Sequence, residues 1–356
     1  MLLPEILSEA NKKHRKILAI VGDGIDPMHD LRMVDRITTN MVSAQRIQSL
    51  DRRNLIKYEN VRSRTQTYLP NQAYQFLFHL ATKNLLNCII TTNYDSFLDT
   101  MFDKTKNLHK RRFVINPAIK YRTQDPSGYS ETIPSNLSSF LRIYKLHGSL
   151  NYLICRKCKH LSSAPEGRLT SMPLCRENIS RCPSSSSKRP RLSSKHPGSC
   201  DGNLVHVTDW NLPGFSTHHP IFASVIDHAM REITARPFAV FILGFKGNHT
   251  SDPNYSEELN IACESIKNSK THWLMCLSKD QEKRLTTVED RHLFDLVNSE
   301  EGHYIGNGKS SYSIGKDLLD YLIEADLLTP VQRDSYLAMI DDLFSRQGSP
   351  YRKATK

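Results

Sequence analysis

The sequence has 356 residues, of which 38% are hydrophobic, and it carries a formal net charge of +11. A chain of this length and apolar content buries a sizeable core, either as one large domain with an insertion or as two modest ones. No apolar run approaches the roughly 18 residues that span a bilayer, and residues 156–200 contribute 10 − 2 = +8 of the charge, which argues against a uniformly basic surface. Residues 1–16 lack the features of a secretion signal, so we expect a cytoplasmic protein with no membrane partner.

The apolar stretch 17–21 predicts a strand that runs into the turn "VGDGID". In this turn Gly22 and Gly24 allow the backbone to pass close to a phosphate. The carboxylates of Asp23 and Asp26 repel a phosphate unless they turn away or meet a cation. Asp26 also fits the N-cap of the next helix, a role that leaves the phosphate to backbone amides.

A second strand is predicted over residues 87–92, after a segment of helical period over 72–86. It runs into the stretch "TTNYD", which holds Thr92, Asn93 and Asp95. Residues two apart on an extended segment face the same way, so Asn93 and Asp95 point together into the crevice at the strand end. The alternative, about equally well supported, is that one of them caps the following helix.

The stretch "LRIYKLHG", residues 141–148, predicts a third strand that ends at His147 and Gly148. A lone histidine is more often a structural residue than a catalytic one. At a strand end beside a ligand crevice, however, a side chain that titrates near neutral pH is well placed to act as a general base.

Five of the eight cysteines lie in one polar segment. Cys155 and Cys158 form a Cys-x-x-Cys pair, and Cys175, Cys182 and Cys200 follow at intervals that are typical of a structural four-thiolate zinc site. The segment has too little apolar content to fold without such a staple, which disfavours simple surface thiols. Cys175 and Cys182 compete as the third ligand.

The same segment contains the stretch "SSSSKRPRLSSKHPGS", residues 184–199, which has the composition of a disordered loop. A nucleic-acid partner stays open as one use of this loop, while a solvated loop is the interpretation that we favour. The basic residues concerned are Lys188, Arg189, Arg191 and Lys195.

A helix over 222–234 and strands over 238–244 and 272–278 complete the pattern. The strand 238–244 ends at Gly244, and Phe245 follows it. Continuous apolar strands that alternate with helices predict an α/β fold with a doubly wound, mainly parallel, Rossmann-like sheet, which binds ligands at the carboxyl ends of its strands.

The C-terminal part has the pattern of a helical hairpin, with Thr329 as an N-cap and Pro330 at the first helical position. The expected organisation therefore combines the Rossmann-like sheet, a small inserted zinc-binding module and a C-terminal helical segment. The expected boundaries are 1–151 for the first part of the Rossmann-like domain, 152–204 for the zinc module with its Ser/basic loop, 205–308 for the second part, and 309–356 for the hairpin and tail.

In this order the motifs resemble the sirtuin family, and in detail its sirtuin-like branch of bacterial antiphage proteins. The family's Gly-Ala-Gly loop corresponds to "VGDGID", its Thr-x-Asn-x-Asp motif to residues 91–95, and its His-Gly pair to His147 and Gly148. The family's four-cysteine module corresponds to the segment that begins at Cys155, and "FILGFKGN" stands at a later strand end that contains glycine in the family. The resemblance covers roughly residues 16–278.

The resemblance implies an NAD+ site in which Asn93 orients the ribose or the attacking water, Asp95 orients the carboxamide, and His147 acts as the base. "RCP" and "CDGNL" look like two halves of the family's "CPxCGGxL", which favours Cys182 over Cys175 as a zinc ligand. The residues implied for NAD+ binding are Gly22, Asp23, Gly24, Asp26, Arg32, Thr92, Gly244 and Phe245, and those implied for a structural Zn2+ are Cys155, Cys158, Cys182 and Cys200.

The reaction that the resemblance implies is hydrolysis of NAD+ to ADP-ribose and nicotinamide, so that the protein is an NAD+ glycohydrolase. Deacylases have a Phe-Gly-Glu peptide-binding stretch where this chain has "LVHVTDWNLPGF". The resemblance further implies an antiphage effector that depletes NAD+, forms a homo-oligomer and is activated by a separately encoded ATPase or nuclease partner. The alternatives are an NAD-dependent protein deacylase and a catalytically weakened nucleotide-sensing or scaffold subunit.

Overall fold

A computed structural model of the protein describes most of the predicted sheet and its helices. No helix among the described residues is long and apolar enough to cross a membrane. The described residues are 2–22, 72–92, 98, 113–115, 141–146, 148–155, 161–163, 204–208, 220–245, 253–283, 285, 288–306, 308–335 and 338.

Strands and helices alternate along much of the described chain. They follow in the order α1 (Leu3–Lys12), β1 (Ile17–Val21), α2 (Gln72–Thr82), β2 (Leu86–Thr91), β3 (Phe113–Ile115), β4 (Leu141–Lys145), β5 (Gly148–Cys155), β6 (Leu161–Ser163), β7 (Leu204–Thr208), α3 (Pro220–Thr234), β8 (Ala239–Leu243), α4 (Pro253–Ser265), β9 (His272–Cys276), α5 (Lys279–Glu282), α6 (Val288–Ser299), β10 (His303–Ile305) and α7 (Ser311–Glu324).

Seven of these strands form one parallel sheet in the order β10-β9-β8-β1-β2-β4-β3. The chain starts in the middle of this sheet at β1 and adds β2 beside it. It then forms the edge strand β3 and returns to place β4 between β2 and β3. It then returns to the other side of β1 with β8 and continues outward through β9 to β10. The strand order thus reverses between β1 and β8, which is the position where doubly wound sheets bind their ligands. The predicted parallel, Rossmann-like α/β sheet is confirmed.

The sheet is covered by helices on both faces. All five residues of β1 are buried, and successive side chains of a strand point to opposite faces. One face packs against α1, α2 and α7, and the other packs against α3, α4 and α6. Burial on both faces explains why these strands are continuously apolar and show no alternation of polar and apolar residues.

The single strand predicted over residues 141–148 is wrong, because the chain forms two strands there. β4 ends at Lys145, the turn residue Leu146 follows, and β5 begins at Gly148 in a different sheet. The physical reason is a change of partners: β4 pairs in parallel with β2, whereas β5 pairs antiparallel with β7. The other strand predictions agree with β1, β2, β8 and β9 to within one or two residues at each end.

A small antiparallel sheet, in the order β6-β5-β7, is inserted between β4 and α3. Its strands run from Gly148 to Thr208, so they extend on both sides of the segment 152–204 that was expected to form a module. Cys155 is the last residue of β5 and pairs with Leu204, the first residue of β7. The chain therefore leaves β5 and enters β7 at the same end of the small sheet.

A largely buried ion pair joins the two elements that flank this insertion. The Arg142 guanidinium of β4 donates to the Glu232 carboxylate of α3, with 2.8 Å between Nη2 and Oε2. The Tyr144 hydroxyl donates to the same carboxylate at 3.1 Å. The side chains of Arg142 and Glu232 are only 11% and 19% exposed. Because these charges are screened weakly by solvent, each depends on the other for its stability in the fold.

We expect Glu232→Gln to lower the free energy of unfolding by about 3 kcal/mol, because it leaves the Arg142 guanidinium buried without its counter-charge. Chemical denaturation measures this loss. The matched control is Asp227→Asn in the same helix, which breaks the exposed pair with Arg231 and should cost less than about 1 kcal/mol. Equal losses in the two variants would contradict the expectation.

The C-terminal region begins with α7, which packs into the first core together with α1 and α2. The Ser310 hydroxyl caps α7 by accepting the Ser313 N–H at 3.2 Å. After a turn, residues 330–335 are helical. Thr329 and Gln332 exchange hydrogen bonds at the start of this segment, where the Thr329 hydroxyl accepts the Gln332 N–H and the Gln332 side chain accepts the Thr329 N–H.

One buried histidine links α2 to the turn after α7. His79 is 5% exposed, and its Nε2 lies 2.7 Å from the Leu327 carbonyl oxygen. Because a carbonyl only accepts hydrogen bonds, Nε2 carries the proton and donates. Burial lowers the pKa of His79 below its ordinary value of 6.5.

This lowered pKa predicts an acid-sensitive contribution to stability. Above about pH 6.5 His79 is neutral in both the folded and the unfolded state and contributes no pH dependence. Below that pH the unfolded chain takes up a proton that the folded chain refuses, so the free energy of unfolding falls as the pH falls. We expect His79→Gln to reduce the loss of stability between pH 8 and pH 5 in urea denaturation, and an unchanged loss in this variant would contradict the expectation.

Candidate functional site

The carboxyl ends of the central strands form one continuous edge of the sheet. Beyond the end of β1, the Gly22 N–H donates to the Leu243 carbonyl of β8 at 2.9 Å. Beyond the end of β2, the Thr92 N–H donates to the Val21 carbonyl of β1 at 3.2 Å. The backbone hydrogen bonds between neighbouring strands thus continue for one residue past β1 and β2. The segments that follow these two strands therefore begin next to each other at the sheet edge.

The backbone hydrogen bonds also continue past β4 and β8, the strands on either side of the β1–β2 pair. The Leu146 N–H, after β4, donates to the Thr91 carbonyl at 2.9 Å, and the Gly244 N–H, after β8, donates to the Cys276 carbonyl at 2.8 Å. Four segments that sequence analysis singled out therefore begin side by side along one edge. They follow Gly22, Thr92, Leu146 and Gly244.

The strand ends lie in close contact between Gly22 and Gly244, at the reversal of strand order. A Cβ atom on residue 22 would collide with the Gly244 carbonyl oxygen and lie 2.9 Å from the Phe245 Cα. Gly244 itself has a φ of 65°, in the left-handed region that favours glycine. The two glycines thus allow two backbone segments to lie in contact at the position where a doubly wound sheet receives its ligand.

Phe245 and Thr92 differ in what they present to this edge. The Phe245 side chain is 5% exposed and packs in the second core, against the face that carries α3, α4 and α6. Only its backbone is therefore suited to contact a ligand. Thr92 is partly exposed, whereas the preceding Thr91 is fully buried.

Two buried polar side chains at this edge were missed by sequence analysis. Lys145, the last residue of β4, pairs across the sheet with Thr91 and is 1% exposed. A lysine side chain is rarely buried to this extent unless other polar groups pair with it. The sequence signal was available, because "YKLHG" places a lysine in an otherwise apolar strand.

The second residue missed is Gln281 of α5, which is 6% exposed. Its Nε2 donates to the Gly244 carbonyl oxygen, and its Oε1 accepts the Ser278 N–H at 3.3 Å. The local sequence marks only the second bond, because Ser278 and Gln281 form the capping box of α5; the first bond joins positions that lie 37 residues apart and has no local signal. The Gly244 carbonyl is thus held from one side by Gln281 and approached from the other by Gly22.

The structure describes only part of the predicted site. Gly22, Thr92, Gly244 and Phe245 lie together at the edge just described, and Asn93 and His147 follow Thr92 and Leu146 directly in the chain. The side chain of Cys155 lies outside the description. The predicted site residues that lie wholly outside the described part of the chain are Asp23, Gly24, Asp26, Arg32, Asn93, Asp95, His147, Cys158, Cys182 and Cys200.

Metal-binding and nucleophilic groups are scarce in the part that can be described. Within the described ranges, no cluster of three or more His, Cys, Asp or Glu side chains is placed to hold a metal ion. Cys88, Cys263 and Cys276 are buried free thiols. Burial raises the pKa of Cys263 to about 12 and raises the pKa of the other two as well, so these three thiols are unreactive structural residues.

No protein-family model and no curated protein matches the chain. Sir2 homologues are among the solved structures that align with it. A Sir2 homologue–NAD complex aligns with 92% of this chain and 94% of its own at 16% identity, with a TM-score of 0.48. A complex of Sir2 with a p53 peptide and NAD+ aligns with 90% of this chain and 98% of its own at 12% identity, with a TM-score of 0.43. Both TM-scores lie below 0.5, so the fold described above is established by the strand pairings of this chain.

Proposed function

We propose that this protein is a sirtuin-like NAD+ hydrolase that cleaves the bond between nicotinamide and ribose and releases ADP-ribose and nicotinamide. The observation that carries the proposal is the alignment of four strand ends along one sheet edge, at Gly22, Thr92, Leu146 and Gly244. Each of these ends leads into a stretch whose sequence resembles a sirtuin motif. In doubly wound sheets this edge, at the reversal of strand order, is where dinucleotides bind.

The proposed chemistry depends on positioning more than on a strong acid. The nicotinamide ring of NAD+ is cationic and leaves as a neutral molecule, so no leaving-group protonation is required. The positive charge passes to the ribose, and the transition state has the character of an oxocarbenium ion. We assign orientation of the ribose or the attacking water to Asn93 and orientation of the carboxamide to Asp95. His147 accepts the proton of the water or of a ribose hydroxyl as the general base.

The remaining NAD+ contacts are proposed at the first and last strand ends. Backbone groups at Gly22, Gly24, Gly244 and Phe245, together with Thr92, line the dinucleotide. If Asp23 and Asp26 lie beside the pyrophosphate in this arrangement, it would raise their pKa or repel them. We therefore propose that Arg32 or a bound cation compensates their charge.

We propose a structural Zn2+ bound by Cys155, Cys158, Cys182 and Cys200. Four thiolates are a suitable donor set for a closed structural zinc site. Support comes from the small sheet, because Cys155 ends β5 opposite Leu204, at the end where the chain leaves β5 and enters β7. Cys158 and Cys200 lie three and four positions from these two paired residues in the sequence. The ion would staple the small module and take no part in the reaction.

Elemental analysis of the purified protein should find about one zinc per chain. We expect Cys155→Ser to lose the metal and lower the melting temperature, since the staple is removed. Comparing Cys182→Ser with Cys175→Ser identifies the third ligand, because only the true ligand is needed for full zinc content. A Cys155→Ser protein that retains its zinc and its melting temperature would refute the four-thiolate site.

We further propose that NAD+ depletion serves antiphage defence, with a homo-oligomer activated by a separately encoded ATPase or nuclease. The support is the resemblance of "TTNYD" and "KLHGSLNYL" to the antiphage branch. Expression in phage-challenged bacteria, with NAD+ measured after infection, tests this role. Phage protection that persists while NAD+ stays constant would contradict it.

The decisive experiment for the reaction is incubation of the purified protein with NAD+, with and without an acylated peptide and with and without DNA. Loss of NAD+ in the absence of peptide supports the hydrolase. Nicotinamide release that requires the acylated peptide identifies a deacylase. Retained nucleotide binding without NAD+ loss, with every activator supplied, identifies a sensing subunit.

A further inference from the structure

We infer that Gln281 is a positioning residue for the dinucleotide, because it fixes the backbone turn at Gly244 that the proposed NAD+ site uses; the inference rests on the proposed function. Gln281 does not reach the reacting atoms in this scheme. It acts through the Gly244 carbonyl, to which its Nε2 donates.

The Gln281 amide is held in a single orientation. Its Oε1 accepts the Ser278 N–H at 3.3 Å, so that Nε2 faces the Gly244 carbonyl. The side chain is 6% exposed, so water cannot easily replace either bond. Removing the donor therefore leaves a buried carbonyl oxygen without its hydrogen bond, a state that is strongly disfavoured.

The Gly244 carbonyl lies against Gly22, where the two central strands end. Gly244 adopts a φ of 65°, and its carbonyl oxygen occupies the space into which a Cβ of residue 22 would project. A rotation of the Gly244–Phe245 peptide would therefore press on the start of the Gly22 turn or move away from it. One hydrogen bond from Gln281 thus controls the relative position of both turns that flank the proposed dinucleotide.

The helix that carries Gln281 is itself anchored at the same edge. The next residue, Glu282, accepts the hydroxyl of Tyr304 in β10, and it accepts the Gly308 N–H at 2.8 Å. The Lys279 N–H donates to the Lys309 carbonyl at 2.9 Å. The short helix α5, which follows β9, is therefore hydrogen-bonded to the segments that follow β8 and β10. These bonds fix the position from which Gln281 holds Gly244.

The test compares two variants of Gln281 with a neighbour on the same helical turn. Gln281→Glu keeps the size and the acceptor of the side chain but removes the donor, and Gln281→Leu removes both. The control is Asp280→Asn, which alters an exposed residue of α5. ADP-ribose binding is measured by titration calorimetry, NAD+ turnover by kinetics and stability by thermal denaturation, all on the full-length chain.

We expect both Gln281 variants to bind ADP-ribose about tenfold more weakly than the unaltered protein. KM for NAD+ should rise by a similar factor, while kcat changes less, because the residue positions the dinucleotide and takes no part in bond cleavage. Asp280→Asn should match the unaltered protein. A purely structural role would lower the melting temperature and leave the affinity unchanged well below that temperature, and this result would overturn the inference.

A second measurement separates this inference from the proposed function. Amide hydrogen exchange at Gly244 and Phe245 reports the turn directly, with or without nucleotide. We expect faster exchange there in both Gln281 variants and not in Asp280→Asn. If the unaltered protein bound neither NAD+ nor ADP-ribose, the proposed function would fail, and the role in nucleotide positioning would fail with it. Unchanged exchange would show in addition that Gln281 does not hold the turn.

Discussion

Gly22→Ala is expected to lower the free energy of unfolding by about 3 kcal/mol and to abolish nucleotide binding. The added methyl group would collide with the Gly244 carbonyl oxygen and lie 2.9 Å from the Phe245 Cα. Both contacts are with backbone, so no side-chain rotation relieves them. The strand ends of β1 and β8 must move apart, which opens the turn at the centre of the proposed site. Chemical denaturation and ADP-ribose titration measure the two effects.

A second glycine at the same edge provides the matched control. Gly308 has a φ of 78°, and a Cβ atom there would meet nothing within 4 Å. Gly308→Ala therefore carries the cost of the left-handed backbone, about 1 kcal/mol, without a collision. If Gly22→Ala proved no more damaging than Gly308→Ala, the close contact between β1 and β8 would not be essential.

Asn93→Ala and His147→Ala are each expected to lower the rate of NAD+ cleavage by a factor of roughly 10² to 10⁴ while leaving the fold intact. In the proposed reaction, loss of Asn93 removes the group that orients the ribose or the water. Loss of His147 removes the base. Nicotinamide release measured with activated protein gives the rates, and circular dichroism with thermal denaturation establishes that each variant is folded.

The control for these two variants is His292→Ala, on the outer part of α6, where the imidazole is 41% exposed. It should retain full activity. Full activity in Asn93→Ala or in His147→Ala would remove that residue from the mechanism. Activity lost together with the cooperative thermal transition would instead assign the residue a structural role, and the catalytic assignment would be wrong.

The central sheet could be predicted because its physical signal is strong and local. Strands buried on both faces must be apolar throughout. Residues 17–21 and 239–243 are short runs of this kind, so their sequence indicates buried strands. The first helix was also readable, since Leu3, Ile6, Leu7 and Ala10 repeat at helical spacing and are all buried. The sequence-based prediction did not include this helix.

The break between β4 and β5 could not be read in the same way. Residues 141–148 remain apolar enough for a single strand, and what divides them is the choice of partner, β2 for one half and β7 for the other. Partner choice depends on residues far away in the chain. The order of the strands in the sheet is likewise a property of long-range pairing, so the reversal between β1 and β8 becomes visible only in three dimensions.

The residues of the candidate site also differ in whether the local sequence or only the three-dimensional structure reveals them. Gly22 and Gly244 carry a local signal, because glycine after a buried strand indicates a tight turn or a close backbone approach. For Gln281 the local sequence indicates only a helix cap, through its capping box with Ser278. The bond from its amide to a carbonyl 37 residues away has no local signal. The residues proposed to contact the ligand are thus easier to predict from the sequence than the residues that hold those contacting groups in place.

The ion pair between Arg142 and Glu232 has a consequence for how this fold tolerates change. It joins positions 90 residues apart, one before the small sheet and one after it, so it ties β4 to α3 across the insertion. A segment whose two ends are already tied together can be lengthened, shortened or exchanged at small entropic cost. We therefore expect the inserted module to be the part of this fold that can change in length or sequence at the least cost, while the parallel sheet and its helices keep their structure.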